Sequence, residues 1–304
     1  MGSRRSPRDY NIPVTIRESL KSPQPETDAR PVRLMREVRF SIDRDWVRAA
    51  RGESGFEKAL PVTNSWGGWP SAVGVAPFLV LRIIVSGTPD PVTGYLVNIQ
   101  ELDRLLRRHA IPVAAQRLST SGVGLAGESL LAAIFERVRT RVPDRCRLET
   151  LSLLVTPYLS YAINERDSTM VELTQCFEFS ASHRLHVPDL SDEENLGTFG
   201  KCNNPNGHGH NYQVEITVAG PIPETTGRVL PLPQFEAAVK REVIDRFDHK
   251  HLNTDTAEFA RVNPSVENIA HVIWRLLQAS VAPAKLRRVR VWETAKTYAE
   301  YGGD

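Results

Sequence analysis

The feature that most restricts the fold of this 304-residue chain is that its pattern runs twice. Val32, Leu34, Val38, Phe40 and Ser41 match Val171, Leu173, Phe177, Phe179 and Ser180 at a separation of 139 residues. Gly87 and Gly94 match Gly220 and Gly227 at a separation of 133. Leu102 then matches Phe235, and Glu128, Ile134 and Phe135 match Glu267, Ile273 and Trp274. Order and glycine spacing are both kept, which chance likeness of two αβ patterns does not supply. Two copies of one unit follow, each of roughly 135 residues, an ordinary domain size.

Each copy reads strand, strand, helix, helix, strand, strand. In the second, Gln175–Ser182 alternates as a strand does, and His210–Ala219 sets Tyr212, Val214, Ile216 and Val218 on one face. Phe235, Val239, Val243 and Phe247 recur every fourth residue and predict a helix from about Pro233. Ser265 caps a second helix carrying Val266, Ile269, Ile273 and Leu276. Arg288–Trp292 and Thr297–Tyr301 close as a hairpin. The expected fold is α+β: two tandem units, each a four-stranded antiparallel sheet with two helices on one face. Residues 1–30, rich in Arg, Ser, Pro and acidic groups, read as a disordered tail. Residues 31–168 form the first unit and 169–304 the second. Open sheet edges call for a homo-oligomer.

Composition excludes several functions. The net charge of +2, from 38 basic and 36 acidic residues, does not fit a protein that neutralises nucleic-acid phosphates. No apolar run reaches the roughly 18 residues that span a bilayer. Ala76–Val85 is short, carries Arg82, and reads as a buried strand. The start Met1-Gly2-Ser3-Arg4-Arg5-Ser6 formally fits an acylation pattern and a twin-arginine start, but no apolar segment follows it. Cys146, Cys176 and Cys202 are too few for a disulfide framework and point to thiols in a reducing, cytoplasmic setting.

The chemistry is concentrated in the second half, where seven of eight histidines lie after residue 170. A lone histidine is usually a surface or core residue, and an H-x-H pair alone is weak. Here His208 and His210, two apart on a strand, share a face. With an upstream Ser180-Ala181-Ser182-His183 and a nearby cysteine the signal is much stronger. His183, at the end of a neighbouring strand, is the natural third ligand of a three-histidine zinc site with an open position. His186 is the weaker alternative. Cys202 is either a fourth, thiolate ligand, which would close the site, or a base held over the metal by the turn-forming Asn203–Gly207 segment. The base is preferred.

The stretch Phe179–Tyr212, with its C-x5-H-G-H-N-Y pattern, resembles the 6-pyruvoyl-tetrahydropterin synthase family. Asp248-His249-Lys250-His251-Leu252-Asn253, Pro264-Ser265-Val266-Glu267-Asn268 and Trp292-Glu293-Thr294 are similar to three further motifs of that family, in order. The resemblance implies the tunnelling fold, whose units join edge to edge into a barrel. It implies 7,8-dihydroneopterin triphosphate as substrate and Zn2+ on His183, His208 and His210. Cys202 would move protons, with Asp248 and His249 as a relay, generally across a subunit interface. Glu293 would anchor the pterin ring and Glu267 assist. Asp248 also reads as a helix-end turn residue, and Glu267 as a first-turn capping charge. The 6-carboxy-tetrahydropterin synthases of the deazaguanine pathway are a close second, although their spacing is usually C-x3-HGH. A non-catalytic zinc or pterin scaffold is a third reading, opposed by Cys202, Asp248 and His249.

The first copy carries none of this chemistry. His183 corresponds to Arg44, His208 and His210 to Val75 and Pro77, Asp248-His249 to Ala114-Ala115, and Glu293 to Val155. The expectation is a catalytically dead unit that supplies sheet edges. A second ligand site using Trp66 and Trp69 is the less favoured alternative.

Overall fold

The computed structural model describes residues 30–42, 48, 77–121 and 125–303. The expected tail and the positions of Arg44, Trp66, Trp69 and Val75 lie outside the described residues. The chain forms strands β1 (Val32–Ser41) and β2 (Phe78–Gly87), then helices α1 (Ile99–His109), α2 (Ile111–Ser121) and α3 (Gly127–Arg139). Strands β3 (Arg147–Thr156), β4 (Leu159–Asn164) and β5 (Val171–His183) follow. Helix α4 (Asp192–Phe199) precedes β6 (His208–Gly220), and α5 starts at Leu232–Val239. The two-residue β7 (Lys250–His251), α6 (Val266–Leu277), β8 (Lys285–Thr294) and β9 (Thr297–Tyr301) complete the order.

The strands lie in one sheet in the order β1-β2-β3-β4-β5-β6-β8-β9, and every neighbouring pair is antiparallel. Alternation sorts the side chains by face. Leu79, Leu81, Ile83 and Val85 of β2, and Tyr212, Val214, Ile216 and Val218 of β6, are buried. On the opposite face charged side chains pair across strands, as in Glu37 with Arg82, and Arg290 with Glu215 and Glu300. One face is thus apolar and packed under the helices, while the other carries these ion pairs. No described helix is long and apolar enough to cross a membrane.

The spacings read from the sequence recur in the hydrogen-bond register. Val32 faces Gly87 as Val171 faces Gly220. The register shift between Ile84 and Val85 has its match between Thr217 and Val218. That between Leu154 and Thr156 has its match between Trp292 and Thr294. Side-chain contacts repeat too: Arg36 binds Asp103 as Gln175 binds Glu236. Gly94 and Gly227 both adopt positive φ (71° and 65°) and both donate their N–H to the carbonyl four residues back, at 2.8 Å. A side chain there would be strained.

The helices differ from expectation in two ways. The first half has three between β2 and β3 rather than two. Pro112 lacks an N–H and cannot continue α1, so the chain breaks at Ala110 and restarts as α2. In the second half, the fourfold apolar spacing drifts by about 40° per step on a 3.6-residue helix. The chain absorbs the drift with a π-helical segment, Lys240–Ile244, after Leu232–Val239 and before Asp245–Phe247. Phe235, Val239, Val243 and Phe247 are accordingly all fully buried.

A Cβ at Gly127 would sit 2.1 Å from the Tyr161 ring, whereas one at Gly197 meets nothing within 4 Å. Gly127→Ala should cost about 1–3 kcal/mol by overpacking. Gly197→Ala, in an open helical position, should be neutral or stabilising by up to about 1 kcal/mol. Urea unfolding of the two variants checks both signs.

Candidate metal centre and catalytic cleft

Three strands bring their last core-facing residues to one end of the sheet. His183 ends β5 and lies directly opposite His208, which begins β6; His210 follows on the same face. His183 Nε2 is 3.1 Å from His208 Nε2. Glu293 Oε1, from β8, is 3.3 Å from His183 Nε2 and 3.4 Å from His210 Nε2. All four ligand atoms fall within 4.8 Å of one another. Donors about 2.0–2.1 Å from a tetrahedral zinc stand roughly 3.3–3.4 Å apart, and three of the separations here are 3.1, 3.3 and 3.4 Å.

The environment prepares these imidazoles as ligands. His183 is fully buried, and its Nδ1 lies 2.7 Å from the Pro264 carbonyl, so Nδ1 donates and Nε2 keeps its lone pair for the cluster. Burial, then the neighbouring histidines, pushes the His183 imidazolium down to about 4. Burial and His210 also lower His208. His208 Nδ1 and His210 Nε2 are buried with no hydrogen-bond partner. The donor set, the lowered His183 and His208 imidazoles and these orphaned atoms fit a bound cation.

Cys202 is outside the cluster but lines the same cleft, about 970 Å³ in volume, with His208, His210, Arg184 and Lys201. Its loop is pinned by the Leu185 N–H, which donates to the Cys202 carbonyl at 2.9 Å, and by the Arg184 Nε bond to the Asn203 carbonyl. Gly207 turns the chain back into β6 at φ 70°, and a Cβ there would meet His251 Nε2 at 2.8 Å. The cations Arg184 and Lys201 escaped the sequence reading, because nothing in their local pattern marks them. Lys201 adjoins Cys202 in the chain, and the folded loop brings Arg184 into the same cleft.

Asp248 and His249 form a second constellation. Asp248 Oδ1 accepts the Ser180 N–H at 2.8 Å, and its Oδ2 lies 2.8 Å from His249 Nδ1. These bonds, the Ser180 one foremost, hold the Asp248 carboxyl below its ordinary range. His249 takes φ 57°, unusual for a side-chain-bearing residue, and donates its own N–H to the Ser180 carbonyl. Its imidazole is exposed. His249 lines a pocket with Ser180, Ser182, Gly209, His210 and Asn211, along the β5 edge where β7 pairs, and Cys202 is not part of it.

The remaining candidates separate. The carboxylate of Glu293, assigned to the pterin ring by the resemblance, lies beside the imidazole cluster, where Glu293 is the extra residue at the β8–β9 register shift. Glu267 is exposed in the first turn of α6, behind the N-cap Ser265, and lines neither cleft. His186 lies 3.0 Å from Asn203 Oδ1 and outside the cluster. His251, missed from sequence, comes in beside Gly207 because β7 pairs parallel with the end of β5. In the first half, the counterparts Ala114 and Ala115 are buried in α2.

Three imidazoles and a carboxylate converging on one point, beside a cationic cleft that carries a thiol, define the site of an enzyme that works through a bound metal ion. The profile of the family described as 6-pyruvoyl tetrahydropterin synthase matches residues 172–304. The 6-pyruvoyl tetrahydrobiopterin synthase of Drosophila melanogaster is 47% identical over 132 residues, covering 43% of this chain and 79% of that protein. The Homo sapiens protein of the same name is 44% identical over 133 residues, covering 44% of this chain and 92% of its own length. A solved structure of the Caenorhabditis elegans 6-pyruvoyl tetrahydropterin synthase is 38% identical, with a TM-score of 0.43, over 44% of this chain and 96% of that one. The chain belongs to the 6-pyruvoyl tetrahydropterin synthase family through its second half.

The buried, neutral His183 sets a pH dependence. Its folded pKa of about 4 lies below the unfolded value of about 6.5, so its contribution to stability is fully present above about pH 6.5 and is lost as pH falls toward 4. In chelator-treated protein the denaturation midpoint should drop across that window. His183→Gln should flatten the drop; an unchanged profile in the variant would assign the dependence to another group.

Proposed function

We propose that this protein is a zinc-dependent lyase that converts 7,8-dihydroneopterin triphosphate to 6-pyruvoyl-tetrahydropterin with loss of triphosphate. The observation that carries this reading is the separation of roles within one cleft. His183, His208 and His210 converge with their ligand atoms within 4.8 Å of one another, while Cys202 stands outside the cluster and lines the same cleft. Zinc on these three imidazoles, when bound, supplies the Lewis acidity that makes protons on the oxygen-bearing substrate side chain removable.

The chain's own residues do the rest. Cys202 accepts the proton next to the carbon whose bond to the phosphate-ester oxygen breaks, and triphosphate leaves with the electron pair. Arg184 and Lys201, on the cleft wall, suit the charge of the departing oligophosphate. Asp248 fixes the tautomer of His249 and stabilises its protonated form, so the pair returns a proton to the substrate side chain. As the resemblance implies, the pair that serves Cys202 comes from another copy, and the working form is a homo-oligomer. Glu293 is the carboxylate for the paired N–H donors of the pterin edge, with Glu267 assisting.

The first half, residues 31–168, is proposed to be a tandem copy of the same tunnelling-fold unit that has lost its chemistry and kept its frame. Its register follows the second half rung for rung, while Ala114, Ala115 and Val155 stand in the places of Asp248, His249 and Glu293. All three cysteines are free, which suits a cytoplasmic location.

Cys202→Ala should retain zinc by metal analysis and lose about 10²–10⁴-fold in kcat. His183→Gln should lose the metal. If Cys202→Ala loses zinc instead, the thiol is a ligand and the proposed proton transfer fails. Tight zinc binding by the unaltered protein without any triphosphate release would favour the non-catalytic scaffold.

A further inference from the structure

The two halves carry opposite charge at one equivalent place, where the first helix of each unit meets the end of its last. In the second half an acid fills it. The Glu242 carboxylate accepts from Arg241 at 2.8 Å, from Arg246 at 3.1 Å and from the Ser280 hydroxyl at 3.1 Å. At the separations of 133 and 139 residues, His109 stands where Glu242 does and Arg141 where Ser280 does. Packing agrees with this match: Ala110 and Val138 are fully buried, as are their counterparts Val243 and Leu277.

The first half has cations there instead. Arg104 and Arg108, four apart on one face of α1, line a pocket of about 260 Å³ together with His109 and Arg141, over the apolar Leu105 and Pro143. Burial lowers the His109 imidazole, and Arg141, Arg137 and Arg108 lower it further, which sets Arg137 close by as a fourth guanidinium. Arg141 is fixed in place, its Nη1 donating to the Arg137 carbonyl at 2.8 Å and to Thr140 Oγ1 at 2.9 Å.

The neighbouring acids are engaged elsewhere. Glu101, the acid in the pocket wall, is held by Arg145 at 2.9 Å, Asp103 by Arg36 and Glu136 by Arg139. Among the described residues no carboxylate pairs with Arg104, Arg108, Arg137 or Arg141. Cations are favourable at a helix C-terminus, which accounts for Arg108 in the last turn of α1 and Arg137 in that of α3. It does not account for Arg104, a turn earlier, or for Arg141, beyond the end of α3. Like charges four apart on a helix repel, so the group is costly until an anion joins it.

We propose that this pocket binds an oligophosphate, whose charge takes the place that the Glu242 carboxylate holds in the second half. Guanidinium forks match phosphoryl oxygens in pairs, and several of them around one pocket exceed what a single carboxylate can engage. A pocket of this size admits a short phosphate chain and not the extended run of phosphates along a nucleic acid. The site lies on the unit without metal ligands and is separate from the cleft of Arg184 and Lys201.

The test is calorimetric titration of the zinc-loaded full chain with inorganic triphosphate at constant ionic strength, read beside the His109 ring signal in NMR spectra. Triphosphate should shift the His109 signal, and Arg184→Ala/Lys201→Ala, which alters only the second-half cleft, should leave that shift in place. Arg108→Ala/Arg141→Ala should weaken the affinity reported by His109 about tenfold or more. His109→Glu, which installs the carboxylate of the second half, should remove the first-half share of bound triphosphate at unchanged zinc content. A nucleoside triphosphate of equal affinity would assign recognition to the phosphate chain alone; one bound about tenfold more tightly would place the nucleoside in the site as well. A His109 signal that triphosphate does not move would overturn the proposal. So would an unchanged affinity in Arg108→Ala/Arg141→Ala, or sulfate binding as tightly as triphosphate at the same ionic strength, the mark of an unselective basic surface.

Discussion

The antiparallel ladder between β5 and β6, thirteen residues on each strand, is the constraint on which the rest of the structure depends. It runs from Val171 opposite Gly220 to His183 opposite His208 without a register shift. The long buried run of Leu173, Phe179, Tyr212, Val214, Ile216 and Val218 sets that register, because a slip of one residue would turn every one of these side chains to the polar face. The same slip would scatter the imidazoles. Core packing and ligand placement are one event here: the stripe that buries the sheet under its helices continues, at its last rung, as the metal cluster.

The polar face carries the complementary chemistry. Ser180 lies one step out of phase with the core stripe, and its backbone N–H and carbonyl hold Asp248 and the His249 amide. The end of β5 therefore carries one metal ligand, His183, on its core face and holds the proton relay along its backbone edge. That division suits a site completed between copies. It also accounts for the cost of keeping His249 at positive φ, which aims an exposed imidazole away from its own sheet.

Much of this was legible in the residues. The spacings of 139 and 133 reappear as strand register, and the His183, His208 and His210 trio follows from strand periodicity plus the single step of pairing β5 with β6. What the sequence hid depends on geometry that no local pattern encodes. The Pro264 carbonyl orients His183 across 81 positions of chain. Glu293 reaches the cluster through a register shift. Arg184 joins the cleft of the thiol only through the folded loop. The break of α1 at Ala110 and the π-helical turn at Lys240–Ile244 were equally hidden. Both arise where a good apolar pattern meets a backbone limit, the proline in one case and the 3.6-residue period in the other.

The central claim is that the metal cluster and Cys202 together eliminate triphosphate from a reduced pterin. It is tested most directly by incubating the zinc-loaded full chain with 7,8-dihydroneopterin triphosphate and identifying the products by mass spectrometry. The account predicts inorganic triphosphate and 6-pyruvoyl-tetrahydropterin in equal amounts. Accumulation of the 6-carboxy compound with acetaldehyde, or intact substrate with fully occupied zinc, would contradict it.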